Sequence, residues 1–128
     1  MLPKSNRLSK EKEIYRVFRT KFRTNTQNTR ILLSFEPNTK FKLLVVISKK
    51  VFKKANKRAR LKRRISAIFE KIYQQNRIPP NLVCIVQVIN KNLLYKKSND
   101  IYDELIPTMS RLFIQSVEKQ KLKNILPS

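Results

Sequence analysis

Lys53, Lys57, Arg60, Arg64 and Lys71 follow one another at i, i+4, i+7, i+11 and i+18, a spacing that aligns side chains along one flank of an α-helix, Lys53 only where the helix starts that early. They belong to a basic run in which the sixteen residues from Lys49 to Arg64 include ten Lys or Arg and no acid. Ammonium and guanidinium groups at that spacing hold the successive anionic groups of a polymer. A solvated charged helix interleaves Glu with Lys for i, i+4 pairing, yet no acid follows in this run until Glu70. Over 128 residues, thirty Lys+Arg oppose eight Asp+Glu, a formal charge of +22. Such a chain repels itself unless an anionic partner is at hand.

Other chemistries are poorly served. The chain has no His, the commonest general acid or base. It has no Gly, which removes the phosphate-cradling P-loop and the dinucleotide-binding turn. The single cysteine, Cys84, has no partner for an internal disulfide and, without His, makes no zinc site. Of the acids only Asp100, Asp103 and Glu104 cluster, at the start of a predicted helix, where they suit the positive end of the helix dipole better than a metal. We therefore expect no catalytic residue and no metal ligand in the protein. No apolar run approaches the ~18–20 residues that span a bilayer, and the start lacks the apolar stretch of a signal peptide. The expectation is a soluble, cytoplasmic protein with no membrane partner.

The elements that must position the cations can be read from periodicity. Residues 9–23 predict a helix capped by Ser9, with Ile14, Val17 and Phe18 on its apolar face. The polar segment "TNTQNT" reads as a loop, residues 30–35 as a strand, 36–39 as a turn and 40–48 as a second strand. A long amphipathic helix is expected over 55–75, with Leu61, Ile65, Ile68 and Ile72 inward, ended by Pro79 and Pro80. Residues 81–89, apolar nearly throughout, predict a central strand covered on both faces, with Cys84 buried in it. A last helix from about Asp100 turns Ile101, Leu105, Met109, Leu112 and Phe113 inward, with a kink or broken first turn at Pro107. The tail, 119–128, is expected to fray. The order is α-β-β-α-β-α: one compact α+β domain over 1–128, core about 4–115, with a central mixed sheet and helices packed on it.

On the long helix, Arg58 and Lys62 lie along the second flank and Arg63 points outward, so the cationic rows stand clear of the buried stripe. Nucleic acid is the expected partner. No helix-turn-helix, zinc finger, basic zipper or RNP1 pattern is present. Phe35 and Phe41 on the sheet, beside Tyr15, Phe18 and Phe22, would suit a groove for a single strand, where bases stack on aromatic rings; taken one at a time, core packing is the better account of each.

At these residues the chain resembles the bacterial ribonuclease P protein family. The resemblance rests on Asn6-Arg7-Leu8, on Tyr15-Arg16-Val17-Phe18, on Ser48-Lys49-Lys50 and on "RARLKR" at Arg58–Arg63, and covers about residues 4–115. Two positions depart from the family pattern: Ala59 replaces an Asn and Ser66 an Arg, with Arg64 expected to compensate in part. The resemblance implies a protein that supplies no catalytic group and accompanies a catalytic RNA, whose bound Mg2+ performs the cleavage of precursor tRNA. Lys53, Lys57, Arg58, Arg60, Lys62, Arg63 and Arg64 would then bind the RNA subunit. Tyr15, Phe18, Phe35, Val46, Ser48, Lys49 and Lys50 would line a cleft for the 5′ leader. It also implies a monomer in a 1:1 ribonucleoprotein and a left-handed βαβ crossover, against the general right-handed preference. The principal alternative is a structural RNA-binding protein such as a ribosomal protein. A nonspecific nucleic-acid coat comes next, and a protein-only nuclease is weakest for want of acids and His.

Overall fold

The computed structural model describes residues 2–125, with side chains described through Lys119. In chain order the elements are α1 (Glu11–Phe18), β1 (Arg23–Asn25), β2 (Thr29–Phe35), β3 (Lys42–Ile47), α2 (Ala55–Gln74), β4 (Leu82–Val88) and α3 (Ser98–Ile125), with short 3-10 turns at Lys4–Asn6 and Lys91–Tyr95. The four strands form one mixed sheet in the order β1-β2-β4-β3. β2 is antiparallel to β1 and β4, whereas β3 and β4 run parallel. β2 and β3, consecutive in the chain, do not pair; β4 inserts between them. That position explains the apolar run of β4, which is buried on both faces.

The alternation of each strand sorts the core into two layers. Ile31 and Leu33 of β2, Leu43, Val45 and Ile47 of β3, and Leu82, Cys84, Val86 and Val88 of β4 join the larger cluster with α2 and α3. Leu32, Val83 and Ile85 face the other way, against Leu8 and Val17, with Ile14, Leu44 and Val46 at its margin. Thus α2 and α3 cover one face of the sheet, and α1 with the N-terminal segment covers part of the other.

Several expectations are corrected. α1 ends at Phe18, and Lys10, not Ser9, stands at its N-cap, without a side-chain cap. The chain then turns into a strand: the Thr20 hydroxyl donates to the Leu33 carbonyl (2.7 Å), and Arg23–Asn25 pair with Leu32–Arg30. "TNTQNT" is therefore the end of one strand, a turn and the start of the next. In α2 the buried stripe is Leu61, Ile65, Phe69 and Ile72. Phe69 stacks on Phe41 (6.1 Å between centroids), and Ile68 lies half-buried at the margin. Helix α3 starts at Ser98 and runs through Pro107 without interruption, so its first turn is intact. It is helical to Ile125; residues 126–128, the end of the stretch expected to fray, lie outside the described ones.

A chain without glycine must find another residue for left-handed backbone, and Asn serves at positions 38, 76 and 81, with φ of 62°, 55° and 66°. Asn76 ends α2: its N–H donates to the Tyr73 carbonyl and the next N–H, of Arg77, to the Ile72 carbonyl, 3.0 Å each, which closes the helix before Pro79 is reached.

Candidate nucleic-acid interface

The loop from Ser48 to Lys54 links the open face of the sheet to α2. The Ser48 carbonyl accepts from the N–H groups of Val51 (3.1 Å) and Phe52 (3.3 Å), and Phe52 is buried. Arg58 ties this loop to the helix, its Nη1 donating to the carbonyls of Phe52 (2.7 Å) and Lys53 (3.0 Å). Arg64 is also a fastener. Its Nη1 donates to the Leu94 carbonyl and its Nη2 to the Lys96 carbonyl, 2.5 Å each, so it clamps α2 to the turn before α3. Arg58 and Arg64 thus have structural work that their place in the basic run did not reveal.

Lys53, Lys57, Arg60, Lys62 and Arg63 are exposed. No described ion pair engages them; those of the neighbouring elements join Arg16 to Glu36, Lys42 to Glu13 and Lys96 to Glu104. Burial of Leu61, Ile65 and Phe69 fixes the helix that carries Lys57, Arg60, Lys62 and Arg63; because that helix begins at Ala55, Lys53 stands on the loop before it and not in the helical row expected for it. Ser66, at the position where the resembled family has an Arg, is half-buried in a crevice shared with Lys62 and Arg7. Ala59 is exposed on the helix surface.

On the sheet side, α1 is held by Glu13, which pairs with Lys42 at 3.1 Å, and by Arg16, which pairs with Glu36 at 3.0 Å. Its outward face presents Tyr15 (59% exposed) and Phe18 (37%). The Arg19 guanidinium lies over the Tyr15 ring, 4.4 Å from its centroid. Val46 emerges half-buried on the same sheet face, and Ser48, Lys49 and Lys50 follow it, exposed. Tyr15 and Phe18 belong to the helix packed on the sheet face that also carries Val46, and Ser48, Lys49 and Lys50 follow that strand in the chain towards α2.

Phe35 does not share that surface. It alternates with Ser34 onto the opposite face and packs against Phe113 of α3 at 5.8 Å. Phe41 is core. Phe22 lies beyond α1 and packs on the α2–α3 side, with Lys119 over its ring at 5.9 Å. Sequence reasoning missed Arg30 and Gln87. They stand in cross-strand register with each other and with Asn25 and Val46, forming a row across the open face. The order of strands creates that row, and no local signal announces it.

Of the clustered acids, Glu104 has structural partners. Glu104 accepts from Thr26 Oγ1 (3.0 Å), Asn28 Nδ2 (2.7 Å) and Lys96 Nζ (3.2 Å), and so fastens the β1–β2 turn and the approach to α3. Among the described residues no group of three or more His, Cys, Asp or Glu could hold a metal ion. Among the described residues no helix is long and apolar enough to cross a membrane. Cys84 is fully buried, and burial pushes its thiol far above its ordinary pKa.

Fold and surface together define an α+β protein with a cationic helix beside a partly open sheet face. Residues 2–113 match the family model described as Ribonuclease P, and the chain belongs to that family. It is 30% identical over 101 residues to a ribonuclease P protein component from Pseudanabaena sp., covering 78% of this chain and 87% of that one. Solved structures share the fold. The RNase P protein from Thermotoga maritima superposes with a TM-score of 0.69 at 20% identity, over 82% of this chain and 96% of that one. A Staphylococcus aureus RNase P protein mutant, described as defective in mRNA degradation activity, gives a TM-score of 0.71 at 18% identity, over 84% and 87%.

Proposed function

We propose that this protein is the protein subunit of ribonuclease P, binding a catalytic RNA along α2 and the 5′ leader of precursor tRNA on the open sheet face. One observation carries the reading: exposed cations with no acid among them, Lys53 on the loop before α2 and Lys57, Arg60, Lys62 and Arg63 on α2, follow in the chain from the sheet face that carries Val46 and on which α1 presents Tyr15 and Phe18. A duplex-tracking cationic row and an aromatic-edged surface for a single strand are the two halves such a subunit needs. Family membership supports it.

In this reading the cleavage chemistry belongs to the RNA and its bound Mg2+, and the protein binds and positions. Protein cations replace part of the screening that RNA packing otherwise draws from Mg2+, which lowers the magnesium requirement. Arg58 and Arg64 contribute charge to the RNA surface while holding the loop and the turn; Phe35 supports the sheet from the far side. The protein works in the cytoplasm as one copy per RNA.

Reconstitution tests this. The protein is mixed with a cognate bacterial ribonuclease P RNA and 5′-labelled precursor tRNA at low Mg2+. Saturable stimulation of leader release at the mature 5′ end is expected. Tight RNA binding with no stimulation would instead favour a structural RNA-binding protein.

A further inference from the structure

A cavity lies away from the open sheet face. It is a slot of about 530 Å³ between the second half of α2 and the first turn of α3, a size usual for small-molecule sites. Ala67, Ile68 and Ile72 of α2 and Tyr102 of α3 form its apolar walls, and Arg64, Lys71 and Arg77 its cationic rim. No acid lines it. Arg77 bridges the mouth, donating to Tyr102 Oη at 3.0 Å and to Gln75 Oε1 at 3.3 Å. Lys71 is exposed, with no described acceptor. Ser98 and Asn99 present the amino end of α3 at the same slot, adding partial positive charge.

We infer that this slot receives an unpaired nucleotide of the bound RNA, its base between the apolar walls and its phosphate at Lys71, Arg77 and the start of α3. This rests on the RNA-binding role of α2 and extends it. The flank that carries Lys57 and Arg60 continues through Arg64 to Lys71, so an RNA strand following those cations arrives at the slot. Charge selects the occupant. An apolar peptide would leave the cationic rim unanswered, whereas a nucleotide offers a planar apolar face and an anion together. Ile68, one of four residues expected in the core, packs at its margin and also forms a wall of the slot.

The test uses the free full-length protein and adenosine 5′-monophosphate, with ribose 5-phosphate and inorganic phosphate as comparisons, followed by amide NMR shifts. Saturable shifts at Ile68, Lys71, Ser98 and Tyr102 are expected, with the nucleotide bound at least about tenfold more tightly than ribose 5-phosphate. Ala67→Trp, which fills the slot from its exposed rim, abolishes those shifts; its dispersed amide spectrum checks folding. Lys71→Ala, at an exposed position, weakens binding several-fold. Equal affinity for nucleotide and ribose 5-phosphate, or no shifts at the slot, would overturn the inference. Lys57→Glu with Arg60→Glu removes RNA-subunit binding and leaves the nucleotide shifts in place, so failure of the slot is distinguishable from failure of the ribonuclease P reading.

Discussion

Arg64 and Leu94, thirty residues apart, are joined by a guanidinium-to-carbonyl hydrogen bond of 2.5 Å. With the second bond to the Lys96 carbonyl, it converts a residue of the cationic run into a brace between α2 and the approach to α3. Arg64→Ala is expected to destabilise the protein by about 1–3 kcal/mol, because two carbonyls lose a charged donor. Arg60→Ala, at an exposed position, should stay within about 0.5 kcal/mol. Urea unfolding of the two variants decides; equal midpoints would remove the brace.

Arg60→Ala and Phe18→Ala should separate two binding functions. Loss of Arg60 is expected to weaken RNA-subunit binding roughly tenfold and to make its log–log salt dependence shallower by about 0.7–0.9. Loss of Phe18 should instead reduce the preference for precursor over leaderless tRNA, by about 1–3 kcal/mol if a base stacks there. Equal effects of both changes in both assays would refute that division.

Phe35→Leu provides a control on strand register. The ring packs on Phe113, across the sheet from Val46. The substitution should cost stability of about 1 kcal/mol as a change of core shape and leave the precursor preference intact. A selective loss of that preference, measured by the same comparison, would place Phe35 at the leader after all.

Glu104→Gln should loosen the β1–β2 turn. The carboxylate accepts from Thr26, Asn28 and Lys96, and its side chain is only 9% exposed. Hydrogen bonds to a charged group are worth about 1.5–3 kcal/mol each, and the amide retains part of this set. Faster hydrogen exchange at Thr29, Ile89 and Asn90, with α2 unchanged, is the expected signature.

Cys84 should be silent towards thiol reagents in the native state. Burial raises its pKa, so the thiol stays protonated through the neutral range, and the thiolate is the reactive form. Labelling in a urea series is expected to follow global unfolding. Rapid native labelling would contradict the packing of β4.

Much of the fold was legible where burial and periodicity agree. β4 announced itself because both of its faces are covered, and α2 because its apolar residues recur on one side. β1 did not: its three residues are polar enough to pass for loop, and only pairing with β2 makes them a strand. Ile68 and Phe69 lie on opposite margins of the same stripe, and the choice between them depends on where Phe41 sits. The cations of α2 were visible as a row, but the partners of Arg58 and Arg64 are carbonyls, which sequence patterns do not mark. Arg30 and Gln87 needed the strand order before they could be related at all.

That strand order also sets when the molecule can assemble. β2 and β3 each bond to β4 and not to each other, so no local hairpin between them can seed the sheet. Apart from the β1–β2 ribbon, the ladder waits for residues 82–88, beyond the whole of α2. Distant pairings of this kind slow folding, because a long loop must close before its contacts form. On a ribosome the cationic helix emerges before the strand that completes the sheet beneath it. A nascent chain that stops short of β4 therefore presents RNA-binding charge without a fold to aim it.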